Sequence, residues 1–429
     1  MFSSKTKLLT TLLISTFVIA VSLSVVVSAK TKVTYWQYYY EPRVKTMETL
    51  IEEFEAEHPD IDIEQKTFPY ENFEQKIASQ VPAGMGPDIV TLFYGWLPKW
   101  VNSGYIQPLP EDYFSTEKIE EEFSPLVQVS KLDGQYWALP TAVRTLALFY
   151  NKNIFEEHGI SEPPENLEEL VEIAEETTVK KDNGQLKYEG FTWDWEGQQH
   201  SWYKSVLVQQ FGGRYISDNN KEILIGDNEG AVEALRWYAG LNTKTPWGPN
   251  VAKPNFYENG PTAFMDGRAA MHIDGSFRIS GVRQKAEDTD LEFGIAPLPA
   301  KDGQERNFGS FWTHGITRGV KGEKLEAAAK FLKWITSEHA MKLWIENVGE
   351  LPAKTAVAEQ YLDHPLYGPF LEQLDNSHAY FTVNEFENRK ASQNMIDKVT
   401  LQNKDLNDAL DELDRKLQDI IDEFWESYE

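Results

Sequence analysis

Aromatic residues are the side chains of this sequence whose number and placement most directly suggest chemistry. Phe, Trp and Tyr make up 13% of the chain, with 13 Trp and 19 Tyr among them. Many of them stand in segments that read as loops, where a core residue would be unusual. A flat ring can stack on the C–H face of a ring-shaped ligand, while a few polar side chains bind its hydroxyl edge. The composition therefore indicates a binding cleft.

The sequence contains no established catalytic motif. It has no HExxH helix, no GxSxG, no GxGxxG, no phosphate-binding loop and no Cys. His272 and Asp274 share a face of a predicted strand, but no third metal ligand accompanies them. Asp194 and Glu196 could imitate a glycosidase pair, which needs a separation of about 5–9.5 Å set by tertiary structure. Because the chain is so acidic, we interpret Asp194 and Glu196 as neighbours by chance. We predict that the protein is not an enzyme and binds neither a metal ion nor a cofactor.

The elements that must position the rings alternate along the chain. Strands are predicted at 32–38, 61–64 and 88–93, and helices at 47–58 and 70–80. This order predicts a doubly wound parallel sheet of the α/β class. Ligands bind such sheets outside the carboxyl ends of the strands, where the aromatic residues within 38–40 and 93–96 lie.

Later segments are predicted to be mostly helical. Helices are expected at 167–177, 203–211, 231–241 and 323–337, and a strand at 146–150. The tail, residues 404–425, repeats apolar residues at helical spacing with a charged outer face. We expect one long helix packed on its own lobe, with a coiled-coil partner as the alternative.

Length and composition restrict the class of protein further. A chain of 429 residues is more than one compact core usually holds, so two lobes are expected. Residues 1–29 have the features of a cleavable export signal, with a retained membrane anchor as the alternative. The absence of Cys excludes disulfides and a lipid-modified Cys. A net charge of −27 disfavours nucleic acid and anionic membranes as partners. We predict an exported periplasmic or extracellular monomer.

A series of segments, in order along the chain, resembles the extracellular solute-binding proteins of family 1, the maltose- and oligosaccharide-binding receptors of ABC importers. They are residues 82–90 (PAGMGPDIV), 133–140 (DGQYWALP), 148–155 (LFYNKNIF), 163–170 (PPENLEEL), 264–277 (FMDGRAAMHIDGSF), 294–300 (GIAPLPA), 324–337 and 349–353 (GELPA). The resemblance extends over nearly all of the chain that follows the predicted signal.

The resemblance implies a two-lobe periplasmic-binding-protein fold, in which each lobe is a sheet flanked by helices and the ligand cleft lies between the lobes. Lobe one would comprise 30–142 plus 301–347, and lobe two 143–300 plus 348–429. Several chain crossings at one hinge would confine the motion to opening and closing. The implied function is capture of a sugar or oligosaccharide by hinged closure and delivery to the transmembrane subunits of an ABC importer.

Two alternatives stay open on the sequence alone. The same fold could bind an acidic sugar, a uronate oligomer or a polyol phosphate through Arg43, Arg144, Arg278 and Arg389. The protein could also be a secreted carbohydrate-cleaving enzyme, although no residue stands out as a nucleophile.

Matching the cleft-lining segments of the family gives most of the candidate site. The candidate ring platforms are Trp36, Tyr38, Tyr39, Tyr94, Trp96, Trp193, Trp202, Phe277 and Trp312, and the polar candidates are Arg144, Asp274 and Arg278. Phe277 stands where the family often has Trp, so a platform remains but the indole N–H is lost.

Two further platforms are suggested by position in the sequence. Trp247 lies in a Pro/Gly loop, and Tyr380 lies ahead of the tail helix. Other roles remain possible for several candidates: core packing for the rings of 36–39, capping of a helix for Trp247, and a salt bridge for each Arg.

Overall fold

The computed structural model describes residues 29–193, 198–226, 228–242, 250–251 and 260–428, with side chains for all of these except 198–200 and 242. The strands are β1 (Thr31–Tyr38), β2 (Ile61–Phe68), β3 (Ile89–Phe93), β4 (Lys131–Leu132), β5 (Gln135–Tyr136), β6 (Ala138–Arg144), β7 (Leu146–Asn151), β8 (Val179–Lys180), β9 (Leu186–Thr192), β10 (Ala269–Gly275), β11 (Phe293–Ala296), β12 (Asn307–Phe308), β13 (Ser310–Ile316), β14 (Leu351–Pro352) and β15 (Ser377–His378).

Helices account for most of the remaining described chain. They are α1 (Glu41–Glu57), α2 (Tyr70–Gln80), α3 (Leu97–Asn102), α4 (Thr116–Glu122), α5 (Lys152–His158), α6 (Leu167–Thr177), α7 (Gln198–Gln210), α8 (Glu229–Ala239), α9 (Gly260–Met265), α10 (Ile279–Asp288), α11 (Glu323–Ile335), α12 (Glu338–Val348), α13 (Thr355–Ala358), α14 (Gly368–Leu371), α15 (Glu385–Thr400) and α16 (Leu406–Tyr428).

The first lobe is built on a six-stranded sheet with the order β14-β6-β13-β3-β1-β2. β1 pairs in parallel with β2 and with β3, which confirms the doubly wound unit predicted for the start of the chain. α1 makes the crossover because Pro42 starts it and because Met47, Leu50 and Phe54 form one buried apolar face. β13 then adds to β3 in the antiparallel direction.

The second lobe is built on a five-stranded sheet with the order β11-β7-β10-β9-β8. The chain passes from one sheet to the other at Thr145, between β6 and β7. β14 pairs with β6, so residues 351–352 belong to the first sheet although the sequence assigned them to lobe two. We therefore propose that the lobe boundaries fall at Thr145 and after Pro352, a few residues later than 142 and 347.

The tail forms the single long helix that its pattern predicted. Leu410, Leu413 and Leu417 are buried along one face of α16. Asp414 accepts a hydrogen bond from the backbone N–H of Gly226 at 3.0 Å, and Trp425 Nε1 donates to the Asn220 carbonyl at 2.8 Å. The helix therefore packs on its own chain, and the coiled-coil alternative is not needed to cover its apolar face.

The described residues contain neither a membrane-spanning helix nor a cluster of metal ligands. None of the helices in these ranges is long and apolar enough to cross a bilayer. In the same ranges, His, Asp and Glu side chains do not gather in threes as a metal site would require. The predicted export signal lies outside the described residues, except for Ala29.

His314 is a buried base at the centre of the first sheet. Its Nε2 lies 3.1 Å from the Thr141 hydroxyl, and its Nδ1 lies 3.3 Å from the Tyr35 hydroxyl and 3.4 Å from that of Thr91. Burial, reinforced by the charge of Arg43, lowers the pKa of His314 to about 3. The imidazole is therefore neutral in the folded protein at ordinary pH.

We expect His314 to make the fold sensitive to acid. Because its folded pKa lies below the unfolded value of about 6.5, its contribution to stability is complete above that pH and falls as the pH drops towards 3. The loss approaches about 1.4 kcal/mol per pH unit. Urea unfolding between pH 7 and pH 4 measures this slope. His314→Gln should flatten it, whereas the surface variant His339→Gln controls for loss of a histidine; an unchanged slope in His314→Gln contradicts the assignment.

Candidate functional site

Aromatic side chains gather at the carboxyl end of the first sheet. The ring of Tyr38, which ends β1, lies 4.4 Å from that of Trp312, and Trp96 meets Trp312 edge-on at 5.2 Å. Phe93 ends β3 and pairs in register with Trp312 of β13, with the ring centroids 5.7 Å apart. These separations are typical of favourable aromatic pairs. The structure thus brings together three of the predicted platforms: Tyr38, Trp96 and Trp312.

Rings outside the first sheet continue this cluster. Trp202 on α7 lies 6.3 Å from Phe93 with an interplanar angle of 5°, and 5.0 Å from Phe308 with an angle of 15°. Phe308 in turn lies 5.8 Å from Tyr380 at an angle of 19°. We call Phe93, Trp202, Phe308 and Tyr380 the ring row. It begins at the first sheet and extends over the lobe junction.

A cavity of about 50 Å³ lies beside the ring row. Phe93 and Tyr94 line it from the first lobe, Trp202 and Lys204 line it from α7, and residues 380–382 and several side chains of α15 complete it. Ordinary small-molecule sites have volumes of roughly 300–1,000 Å³. A ligand of that size can therefore enter only when the lobes part.

The cavity wall carries polar groups among its rings. Tyr380 Oη donates to the Ser205 carbonyl at 3.0 Å, and burial raises the pKa of Tyr380 far above its usual value. Burial likewise raises the pKa of Tyr94. Glu385 and Arg389, on the first turns of α15, also face the cavity. The site therefore combines ring faces with hydroxyl and charged edges.

Most of the N–H groups of Arg144 donate hydrogen bonds to other side chains of the protein. Its Nε donates to Glu350 Oε1 at 2.9 Å, and one Nη donates both to that carboxylate and to the Tyr38 hydroxyl, the latter at 3.1 Å. Arg43 Nη1 donates to both oxygens of Glu350 at 3.0 and 2.8 Å. The salt bridge that the sequence left open for Arg144 therefore forms, with Glu350 as its partner. The role of Arg144 as a fork for ligand stays a prediction.

The hinge cluster, consisting of Arg43, Arg144 and Glu350, stands where the two lobes meet. Gly349 ends α12 with a φ of +83°, a conformation that favours glycine, and so turns Glu350 inwards. Burial raises the pKa of Glu350, but the charges of Arg144 and Arg43 outweigh burial and lower it to about 2.

A second set of contacts links the hinge cluster to the second lobe. The Arg144 guanidinium lies 4.9 Å from the ring centre of Phe277, which follows β10. Tyr40 Oη donates to the Phe277 carbonyl at 3.4 Å and lies 3.1 Å from the Ser280 hydroxyl. Phe277 therefore supports a buried cation, a role that the sequence did not suggest for it.

Asp274 and Arg278 bind each other rather than remaining open for a ligand. Arg278 Nε donates to Asp274 Oδ2 at 2.8 Å, and the backbone N–H of Gly275 donates to Oδ1 at 2.7 Å. His272 Nε2 lies 3.2 Å from the same carboxylate. Burial raises the pKa of Asp274, but Arg278, His272 and the Gly275 N–H together lower it well below its usual value. Both predicted ligand groups thus stabilise the turn after β10, and their contact with a ligand stays a prediction.

The other predicted platforms are scattered. Trp36 is buried with its ring 4.9 Å from that of Phe68, so the core-packing alternative describes it. Trp193 packs inside the second lobe, 5.5 Å from Phe191 and 5.6 Å from Tyr203. Both rings therefore have packing roles within their lobes, and their contact with a ligand stays a prediction.

Tyr39 and Trp247 have different outcomes. The side chain of Tyr39 is 56% exposed and lines an open groove beside Tyr70, so it stays available to a ligand that extends beyond the cleft. Trp247 lies outside the described residues, as do Asp194 and Glu196, and its role stays a prediction.

The four arginines proposed for an acidic ligand do not gather as free cations. Each lies beside a carboxylate: Glu350 for Arg43 and Arg144, Asp274 for Arg278, and Glu385, at 3.9 Å, for Arg389. The interactions that could hold an anion are therefore largely satisfied within the protein.

Sequence reasoning overlooked several residues of the site, among them Phe308, Lys204, Tyr215 and Glu385. Phe308 belongs to the ring row, and Lys204 and Tyr215 line the cavity. A signal was present for Lys204, because it interrupts the apolar stretch 203–211 that was predicted to be a buried helix. Phe308 carried no comparable signal, since a single Phe in a two-residue strand resembles any core residue.

The described structure is a protein of two α/β lobes with an aromatic cluster and a small polar-walled cavity at their junction. Residues 40–342 match the family of bacterial extracellular solute-binding proteins. The chain belongs to this family, which confirms the resemblance and the fold class inferred from the sequence. The family is one of extracellular solute-binding proteins.

Individual relatives and solved structures agree with this assignment. The chain is 29% identical over 333 residues to the maltotriose-binding protein of Pyrococcus abyssi, covering 76% of this chain and 67% of that protein. It superimposes on the GacH receptor of Streptomyces glaucescens, solved unliganded and with acarbose, with a TM-score of 0.77 and 21% identity, covering 92% of this chain and 99% of that one. It also superimposes on an ABC transporter solute-binding protein of Thermotoga lettingae bound with α-D-tagatose (TM-score 0.77, 20% identity, covering 91% and 100%).

Proposed function

We propose that this protein captures a maltodextrin-type oligosaccharide outside the cytoplasm and delivers it to the transmembrane subunits of an ABC importer. The observation that carries the proposal is the ring row, which extends over the lobe junction beside a cavity with polar walls. The maltotriose-binding relative and the acarbose-binding structural neighbour support this class of ligand.

The chemistry of the cavity fits a neutral sugar. Flat rings offer faces for the C–H patches of a pyranose, and the hydroxyl and charged groups of the wall can bind its edge. Trp312 Nε1 and Ser310 Oγ are buried, and neither has a hydrogen-bond partner among the described residues. An unsatisfied buried polar group costs about 1–3 kcal/mol. Neither residue lines the cavity in this arrangement of the lobes, so a ligand could supply oxygens to them only after the lobes part.

Closure provides the means of delivery. Ligand that contacts both lobes stabilises the closed form by its differential affinity, and the importer then recognises that form. The hinge cluster and the Tyr40 contacts lie at the crossing, where they can guide this movement. The sugar is released unchanged, so the proposal includes no catalytic step.

A thermal-shift panel tests the proposal. We expect maltose, maltotriose and maltotetraose to raise the melting temperature, since a ligand at 100 times its Kd adds about 2.7 kcal/mol to the stability of the native state. Glucuronate and glycerol 3-phosphate are the acidic controls and should give no shift. If no carbohydrate shifts the melting temperature, the proposal is wrong.

The same samples distinguish a receptor from an enzyme. Prolonged incubation with maltotetraose should leave the oligosaccharide intact by chromatography. Release of new reducing ends would favour the carbohydrate-cleaving alternative.

We also propose that residues 1–29 are removed on export and that the product is a monomer without a lipid-modified Cys. The charge pattern of Lys5 and Lys7 before an apolar stretch supports removal, and the lack of Cys supports the free form. Mass spectrometry of the exported protein reports the new N-terminus, and light scattering reports the assembly state.

A further inference from the structure

Lys204 is a buried cation on the wall of the cavity. Its side chain is 2% exposed, and it lies on α7 two residues after Trp202 of the ring row. Its ammonium donates to the Ser392 hydroxyl at 2.5 Å and lies 5.1 Å from the centre of the Tyr215 ring. Ser392 Oγ is the one acceptor it meets among the described residues, and no carboxylate there pairs with it. An ammonium has three N–H donors, so two of them lack an acceptor among the residues that the structure describes.

The surroundings of Lys204 contain charges that do not neutralise it. Glu385 and Arg389 of α15 line the same cavity, and Arg389 lies 3.9 Å from Glu385. Tyr215 and Tyr380 face the cavity with neutral hydroxyls, since burial raises the pKa of each. Asp414 of α16 lies near Tyr215, Arg306 lies near Tyr380, and His272 of β10 is held at Asp274.

Burial without a counter-ion has a direct consequence for protonation. Burial lowers the pKa of Lys204 to about 7. The Lys204 side chain is therefore close to its pKa at physiological pH, and it is partly protonated. Any group that offers it an oxygen lone pair favours the charged form.

We propose that Lys204 is a specificity-determining residue that donates hydrogen bonds from its ammonium to an oxygen of the bound ligand, so that ligand binding is coupled to uptake of a proton. This inference rests on the proposed function, because the ligand is taken to be the oligosaccharide held by the ring row. The oxygen can be a hydroxyl, a ring oxygen or a glycosidic oxygen, since all three accept from an ammonium.

The sign of the pH dependence follows from the coupling. Ligand raises the pKa of Lys204 above its value of about 7 in the free protein. Affinity is therefore greatest below pH 7 and falls above it, by up to about tenfold per pH unit, until the pKa of the complex is reached.

Calorimetry with maltotriose tests the coupling on the full exported chain. Titrations between pH 6 and pH 9, in phosphate and in Tris buffer, separate the heat of binding from that of buffer ionisation. We expect the wild type to take up a substantial fraction of a proton per maltotriose near pH 8. Lys204→Met should bind more weakly at pH 6.5, with a flat pH profile and without proton uptake. Lys45→Met, an exposed lysine paired with Glu41, should behave like the wild type.

The outcomes distinguish failure of the proposed role of Lys204 from failure of the proposed carbohydrate-binding function. Failure of the wild type to bind any carbohydrate overturns both. Maltotriose binding without proton uptake by the wild type overturns the role of Lys204 alone, and so does an unchanged pH profile in Lys204→Met. Because the wild-type measurement is informative by itself, the test does not depend on the variant folding. Lys204→Met should nevertheless melt at a higher temperature than the unliganded wild type, since an uncompensated buried charge is removed.

Discussion

Glu350→Gln should lower the free energy of unfolding by about 3–5 kcal/mol, because two buried arginines then lose their counter-ion. Glu350 is 2% exposed and accepts hydrogen bonds from Arg43, Arg144 and the indole N–H of Trp344. The amide of Gln occupies the same volume and can still accept, so loss of charge is the principal change. Urea or thermal unfolding of the purified variant at pH 7 measures the effect.

Glu412→Gln provides a matched control on the surface. Glu412 also accepts from two cations, Lys398 and Lys404, each at 2.5 Å, and their hydrogen bonds lower its pKa to about 2. Its side chain is 35% exposed, so water screens the charges and the loss of stability should be far smaller. Equal loss in both variants, or none in either, would contradict the structural role of the hinge cluster.

Glu350 also determines how the stability of the protein responds to strong acid. The folded pKa of Glu350, about 2, lies below the unfolded value of about 4.3, so its stabilisation is complete above that pH and is lost as the pH falls towards 2. This window overlaps that of His314 between about pH 3 and pH 4.3 and extends below it. Glu350→Gln should therefore reduce the acid dependence below about pH 4.3 and leave the slope due to His314 in place between about pH 4.3 and pH 6.5.

Trp202→Ala should weaken maltotriose binding by at least about 2 kcal/mol, roughly 30-fold in Kd. Trp202 stands between Phe93 and Phe308 with all three rings near parallel, and it lines the cavity. Truncation removes the central platform of the ring row and leaves its neighbours without a stacking partner. Calorimetry at pH 6.5 compares the variant with the wild type.

Two further variants separate binding from stability in this experiment. Trp202→Phe keeps a flat ring and should retain most of the affinity. Trp334→Ala removes a half-buried indole that donates to the Leu50 carbonyl at 2.8 Å, away from the cleft, and should lower stability without changing Kd. Wild-type affinity in Trp202→Ala would show that the ring row is core and not binding surface.

Stability and binding place different demands on the two clusters. The hinge cluster joins three charges whose attraction is strong because water is excluded, and removing one of them leaves the others uncompensated. The ring row contains no charge, and its rings can exchange contacts with one another for contacts with a sugar. The protein can therefore open at the ring row while the hinge cluster keeps the crossing intact.

Local patterns were sufficient to predict much of the first lobe. The alternation at 32–38 became β1 (Thr31–Tyr38), and the helical spacing within 47–58 became the second half of α1 (Glu41–Glu57). α1 began earlier than its apolar pattern because Pro42 and Glu41 suit a first turn. Such features depend on neighbours in the sequence, so they can be read without a structure.

The family segments also predicted the class of protein, since motifs that lie in the same order imply the same chain path. That path brings Tyr38, Trp96 and Trp312 to one edge of one sheet, as expected from their positions at strand ends. Strand ends are predictable because parallel strands joined by crossover helices must finish at the same edge.

The sequence by itself determined the α/β class, the two-lobe plan, the lack of thiol chemistry and the position of several rings. Only the tertiary structure decided which polar groups are free. Arg144 pairs with Glu350 across 206 residues of chain, Arg278 pairs with Asp274 within one turn, and Lys204 pairs with no carboxylate in the described part of the chain. Helix and strand periodicity is local, whereas the partner of a buried charge is set by packing between distant segments, and that packing decides whether a charge stabilises the protein or remains available to a ligand.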